Sequence, residues 1–437
     1  MVRPSVLLLG FIAWTIPSLL FAAPAREHGR SITRNFSHRD FAAPGQISGI
    51  VQRADSRIYF ASQQAILEYD GSQWSNHSVP SVFSHFIATD AARQRLYVGA
   101  HDLVGFLEPD EVGRLAFHSL VEQLPDSIKP IGFSHGIVVR DDRVLFATHQ
   151  NVLSWRNDKF ELLPLPAGTA RPQLLATSRQ TFVHRPGVGL LRLEGSEFKL
   201  LVADEVVRDA PSLALWPRAN GSRLLGAGKP GLWTWHDRAL HRWPTAADEI
   251  LLRTQISCGA VLSDGRIVIG TLGEGIVIVS PDGTAFDQFS LGQGVIDPAV
   301  RSVFVDRDHA LWIGTDGGIT RLDPDDGATI FDHHNGLRQP IINGIWRHRD
   351  RLYVSTLDGL LRLVPANPPS GSAARFEKVE TIGRNPREMA SHPSGLLIGT
   401  PEGIVRLREH DRTDVVLPLD QLALHPVWSK REPDTLF

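Results

Sequence analysis

With 437 residues, the chain exceeds one ordinary domain and is long enough for a large core or a repeat array. Its 45 Lys and Arg stand against 48 Asp and Glu, and a net charge of −3 lacks the basic surplus of a nucleic-acid binder. The 38 Gly and 29 Pro, beside 20 Phe and 10 Trp, suit many short strands joined by tight turns.

Residues 1–25 read as a signal peptide. Arg3 gives a short positive start, Val6 through Ala22 is apolar, and Ala23-Pro24-Ala25 supplies the small residues of a cleavage site. The mature chain then begins near Arg26 and is exported to the periplasm. The alternative is an uncleaved membrane anchor, but the stretch is slightly short for a span and is interrupted by Pro17 and Ser18. No Cys lies near the cleavage site, which argues against a lipoprotein, and no other segment is apolar enough to cross a membrane. The single cysteine, Cys258, sits in the strand-like Ile256-Ser257-Cys258-Gly259-Ala260-Val261 and is expected to be a buried structural thiol. An exported chain without disulfides must stand on its own packing.

Beyond the leader, one pattern recurs. Ile58-Tyr59-Phe60-Ala61-Ser62 comes first, and Leu96-Tyr97-Val98-Gly99-Ala100, Val144-Leu145-Phe146-Ala147-Thr148 and Leu224-Leu225-Gly226-Ala227-Gly228 follow. Phe182-Val183-His184 is the weakest copy. The clearest are Ile267-Val268-Ile269-Gly270-Thr271, Leu311-Trp312-Ile313-Gly314-Thr315, Leu352-Tyr353-Val354-Ser355-Thr356 and Leu396-Leu397-Ile398-Gly399-Thr400. Aligned on Trp312, the anchors fall at 59, 97, 145, 183, 225, 268, 312, 353, 397 and 437, spaced 38 to 48 residues apart. A four-stranded propeller blade takes about 40–50 residues.

The best unit resolves into strands. Val300 to Val305 alternates as an inner strand, and Asp306-Arg307-Asp308-His309 turns the chain. Ala310 to Thr315 is nearly all apolar, as expected of a strand covered on both faces. After Asp316-Gly317-Gly318 the chain returns through Ile319 to Leu322, turns at Asp323-Pro324-Asp325-Asp326-Gly327, and is expected to finish with Ala328-Thr329-Ile330-Phe331 as the outer strand. Such units bury both faces only by stacking around a ring. The expected fold is therefore all-β: a seven-bladed β-propeller of four-stranded blades over residues 31–339, followed at 340–437 by the first blades of a second, incomplete propeller. The chain stops at Phe437 inside an expected strand, which suggests a piece of a longer polypeptide. The alternative is one eight-bladed ring with an irregular tail.

The pattern Val300-x-x-Val303-x-x-Asp306-x5-Trp312-Ile313-Gly314-Thr315-x-x-Gly318-Ile319 resembles the two-component regulator propeller repeat. Ile58-Tyr59-Phe60-Ala61-Ser62, followed by Leu67-Glu68-Tyr69-Asp70-Gly71-Ser72-Gln73-Trp74, is similar to the first repeat of its sensor proteins. Phe331-Asp332-His333-His334-Asn335-Gly336-Leu337 is similar to its inter-blade linker. The resemblance covers about residues 45–437 and is faint between the third and fifth units. It implies a periplasmic sensor of two propellers, usually followed by a three-tyrosine domain, a membrane helix and a histidine kinase, diguanylate cyclase or transcription-factor output. None of those later parts is in this chain, so no catalytic activity is expected of it.

The residues point the same way. There is no G-x-S-x-G, H-E-x-x-H, paired Cys or P-loop. His333-His334 beside Asp332 is a tempting metal pair, but neighbours on a strand point to opposite faces. The acidic turns Asp323-Pro324-Asp325-Asp326-Gly327 and Ser280-Pro281-Asp282-Gly283 lack EF-hand spacing and fit ordinary turn chemistry. Sequons at Asn35, Asn76 and Asn220 carry no meaning in a bacterial periplasm. Trp216, Trp233, Trp235 and Trp243 offer either a sugar platform or inter-blade packing, and packing is the stronger expectation. No catalytic, cofactor-binding or metal-ligating residue is singled out, and no cofactor is called for. Ligands of propellers usually meet converging loops or the central channel. The function expected is a ligand-sensing periplasmic ectodomain. Its ligand is unidentified, with an oligosaccharide among the candidates. Membrane contact is expected only through a missing C-terminal helix or an uncleaved leader, and a homodimer only in the full-length protein. The rivals are a secreted propeller enzyme of the polysaccharide lyase or glycosidase kind, and a protein-binding scaffold.

Overall fold

In a computed structural model that describes residues 27–81, 85–177, 179–218, 223–227, 231–236, 239–324, 328–366 and 374–419, every anchor from Tyr59 to Leu397 lies on the second strand of a four-stranded antiparallel sheet. The tenth anchor, Phe437, lies outside the described residues, as do the leader at 1–25 and Asn220. Six sheets are built in simple chain order over 49–78, 86–119, 136–163, 173–202, 213–242 and 256–289. A seventh holds Val300–Val305, Leu311–Thr315 and Gly318–Leu322, and two more span 342–378 and 389–418. The first strands of the first seven sheets touch in a closed cycle, the seventh meeting the first. The chain is thus all-β, with its sheets stacked face to face around an axis.

The fourth strand of the seventh sheet is not the expected one. Thr33–Ser37 takes that place, running antiparallel to Gly318–Leu322 with Phe36 opposite Ile319. Thr329–Ile330 instead pairs with Arg30–Ser31 in a two-stranded ribbon. Phe36 explains the preference. It stacks on Trp312 at 6.1 Å and meets Tyr69 and Trp74 of the first sheet at 5.4 and 5.2 Å. Closure therefore buries a large aromatic ring between the seventh and first sheets.

The repeated motif has a physical basis. Asp306 Oδ2 accepts from Trp312 Nε1 at 2.7 Å, and its other oxygen accepts from the backbone N–H groups of Asp308 and Ala310. One carboxylate thus caps the turn and satisfies the buried indole that follows it. The Thr315 hydroxyl donates to Gly318 O and accepts from its N–H, locking the next turn, and Thr271, Thr356 and Thr400 donate in the same way. The intervening Gly is required by close approach. A Cβ at Gly314 would lie 2.4 Å from Ser302 Oγ and 2.7 Å from Ile47 Cγ2, and one at Gly270 would lie 2.5 Å from Cys258 Sγ.

Core clusters straddle neighbouring sheets. Trp216 and Leu224 of the fifth pack with Ile267, Ile269 and Val277 of the sixth, while Trp233 and Trp235 pack against Phe182 and Leu190 of the fourth. The tryptophan cluster is packing, as expected. Cys258 is half-buried on its inner strand, and burial pushes its thiol up to about 12. The N-terminal segment ties the ring to the eighth sheet and to the linker that precedes it. Glu27 pairs with Arg347, His28 O accepts from Ala374 N, and Arg30 pairs with Asp332.

Candidate functional site

Antiparallel order fixes which loops share an end. In each sheet the chain enters its first strand and leaves its second at the same end of the ring. The turns between second and third strands therefore sit beside the connections from one sheet to the next. This entry end gathers side chains from five segments of the second to fourth sheets.

His101 and His149 follow the second strands of the second and third sheets, and Arg185 ends that of the fourth. Phe133 and His135 come from the connection into the third sheet, and Arg171 from the connection into the fourth. The rings form a chain. His101 meets Phe133 edge-on at 4.4 Å, Phe133 stacks on His135 at 6.1 Å, and His135 lies 6.4 Å from His149 and 6.3 Å from Phe86. The Arg171 guanidinium lies 5.5 Å from the Phe133 centroid. Asp102 fixes the loop: its carboxylate accepts from Gly132 N at 2.7 Å and its N–H donates to Gly132 O. Gly132 has φ +67, and a Cβ there would press within 3.2 Å of the His149 Cβ, so the turn suits glycine.

Beside this chain lies a depression of 870 Å³, lined by His149, Asn151, Leu165, Thr169, Arg171, Arg185 and neighbours. No Asp or Glu is among its lining residues. Arg185 is 7% exposed; its Nε donates to Pro166 O at 3.1 Å and its Nη1 to Ala170 O at 2.8 Å. Burial lowers the affinity of this guanidinium for its proton. His135 Nε2 is buried and has no hydrogen-bond partner among the described residues. Burial, with the positive charges of Arg171 and His149, pushes His135 down to about 4. At neutral pH it is an uncharged imidazole with one polar nitrogen to offer.

Two other titratable groups, Glu68 and Asp282, are closed within the protein. Both Glu68 oxygens are taken, by Arg57 and by His77, each at 2.7 Å. Asp282 caps its own turn, accepting from Ser280 Oγ, Thr284 N and Thr284 Oγ1, which hold its carboxyl down at about 2. Residues 325–327 of the second acidic turn lie outside the described residues. Asp332, His333 and His334 do present ligand atoms within 4.8 Å of one another. The opposite-face expectation fails there because His333–Asn335 is a 3₁₀ turn, which brings the two imidazole centroids to 3.8 Å. Asp332, however, already pairs with Arg30 and caps His334 N.

None of the entry-end residues was singled out from sequence. A signal was present: His101 and His149 each stand four residues after their anchors, Tyr97 and Leu145, at the position Asp316 takes after Trp312. Arg185, two residues after Val183, departs from that register.

No protein-family pattern matches the chain, and no curated protein does. Solved structures do. The extracellular domain of BT3049 from B. thetaiotaomicron, described as a hybrid two component system, aligns with a TM-score of 0.68 at 14% identity, over 89% of this chain and 55% of that one. That of BT4673 from the same organism aligns with a TM-score of 0.55 at 14% identity, over 92% and 54%. Streptogramin B lyase aligns at 0.53 with 13% identity, over 67% and 97%. The chain thus spans about half the length of the two extracellular domains. Its fold is that of the β-propellers, and among them it is similar to the extracellular domains of two-component systems, in agreement with the resemblance carried by its repeat.

Proposed function

We propose that the chain is an extracellular, periplasmic sensor propeller that recognises a ligand and carries out no catalysis of its own. Residues 31–339 are taken as a first propeller of seven blades, a division supported by the cyclic contact of seven inner strands and by the return of Thr33–Ser37 to the seventh sheet. Residues 340–437 are taken as the opening of a second. In its support, the inner strand Ile342–His348 leaves Ile342, Ile345 and Trp346 exposed, a surface that further blades would cover. In a longer polypeptide, the signal would pass from these sheets to an output region.

One observation carries the ligand reading. Where loops of several sheets converge, an open depression is lined by His149, Arg171 and Arg185 and by no carboxylate. Converging loops around a concave, polar-lined space are where such scaffolds receive ligands. The depression is lined by no carboxylate, which supports binding over a glycosidase reaction needing two of them. The test is a thermal-shift screen of oligosaccharides and small metabolites against the exported chain, with parallel assays for polysaccharide cleavage. The expected result is a stabilising ligand whose effect is lost in His149→Ala, with no turnover. Cleavage of any glycan, or a ligand effect indifferent to His149, would overturn the reading.

A further inference from the structure

A full positive charge is buried at the entry end with no negative charge beside it. Arg185 is held by two main-chain carbonyls, and among the described residues no carboxylate pairs with it. Several other partly buried arginines do have one: Arg362 with Asp411, Arg406 with Asp414 and Arg242 with Asp248. Carbonyl dipoles solvate a guanidinium but leave its net charge in place, and buried charge is ordinarily paired. Arg171, at the rim of the same depression, makes no hydrogen bond or ion pair among the described residues; its contact is with the face of Phe133. His149 stands beside it, also without a carboxylate. Two guanidiniums and the His149 imidazole thus line a space with no carboxylate among its lining residues.

We propose that this depression binds the carboxylate of a small organic anion. Arg171 and His149 contact the carboxylate from the rim, and the nearly buried Arg185 supplies positive potential from behind its two carbonyl partners. The proposal rests on the ligand-sensing reading and narrows it from any ligand to an anionic one. A depression of 870 Å³ has ample room for a sugar acid or a small di- or tricarboxylate, and both present the same group. A planar guanidinium meets a carboxylate with two parallel hydrogen bonds, which makes Arg171 the residue on which discrimination depends.

The experiment is calorimetric titration of the exported chain with galacturonate, glucuronate, citrate and succinate, and with galactose and glucose as uncharged counterparts. At least one carboxylate should bind about tenfold or more tightly than its uncharged counterpart or than either hexose, and salt should weaken it. Arg171→Gln should weaken that binding by about tenfold without changing the melting temperature of the unliganded protein, while Arg171→Lys retains part of it. Preference for uronates over citrate and succinate would identify an acidic saccharide, and the reverse a free carboxylic acid; either supports the site. Equal binding of galactose and galacturonate would overturn the anionic assignment and leave the sensing reading standing. Absence of carboxylate binding, or binding undiminished in Arg171→Gln, would overturn the site itself.

Discussion

Lowering the pH from 7 to 5 should destabilise the ring through its buried histidines. His135 and His184 are both pushed down to about 4 by burial, and His85 is lowered for the same reason. Each is neutral in the folded chain but protonates in the unfolded chain below about 6.5. The stability they contribute is therefore complete above pH 6.5 and lost as pH falls towards 4. For a shift of this size, each group gives up about 2 kcal/mol by pH 5, so the two together give up about 4 kcal/mol. His184 isolates the effect, because it is fully buried with Nε2 2.8 Å from Val207 O. His184→Gln retains a donor there and cannot titrate. Urea denaturation followed by tryptophan fluorescence at pH 7, 6 and 5 is the assay. The loss of stability between pH 7 and 5 should be smaller in the variant by about 2 kcal/mol. Carboxylates are common to both proteins, so their contribution cancels in the comparison. Parallel pH profiles for the two proteins would refute the argument.

Four further outcomes are expected. Asp306→Ala strands the Trp312 indole N–H and two backbone N–H groups, and should cost about 2–4 kcal/mol in chemical denaturation. Phe36→Ala removes the ring that closes the seventh sheet on the first; a loss of about 3–5 kcal/mol should accompany faster tryptic cleavage near residues 30–48. Gly314→Ala places a methyl 2.4 Å from Ser302 Oγ and should cost about 1–3 kcal/mol, whereas Gly383→Ala, with nothing within 4 Å, should leave the melting temperature unchanged. Cys258, with its thiol pushed up to about 12, should resist a disulfide reagent at pH 8 until the protein is unfolded.

The second strands were legible because they are covered on both faces, so that nearly every residue of Leu311–Thr315 or Ile267–Thr271 is apolar or small. The closing strand was not. Thr33–Ser37 has one buried residue, Phe36, and polar neighbours, a pattern that says nothing of a partner at 318–322. Thr329–Ile330 looked equally suitable, and the choice rests on aromatic packing across the seam rather than on local pattern. The candidate site was hidden for a related reason. His101, Phe133, His135, His149, Arg171 and Arg185 are scattered singly over 85 residues and are joined only when three sheets stack. What marks Arg185 is the lack of a counter-charge, and that is a property of space, not of sequence. The histidine pair at 333–334 failed in the opposite sense, since a local assumption of strand geometry met a helical turn.

The seam has a consequence for how the chain acquires its shape. Asn35 accepts a hydrogen bond from Thr320 over a sequence separation of 285, and Ser302 reaches Ile47 over one of 255. Contacts of such separation are slow to form, because a long loop must close before it is rewarded. Phe36 has no pocket until Trp312 and the first sheet are both in place. The segment near residue 35 must therefore stay unpaired while the intervening strands assemble, and ring closure is expected to be the last and rate-limiting step of folding. This interval is when an open strand edge is most exposed to a neighbouring copy of the chain.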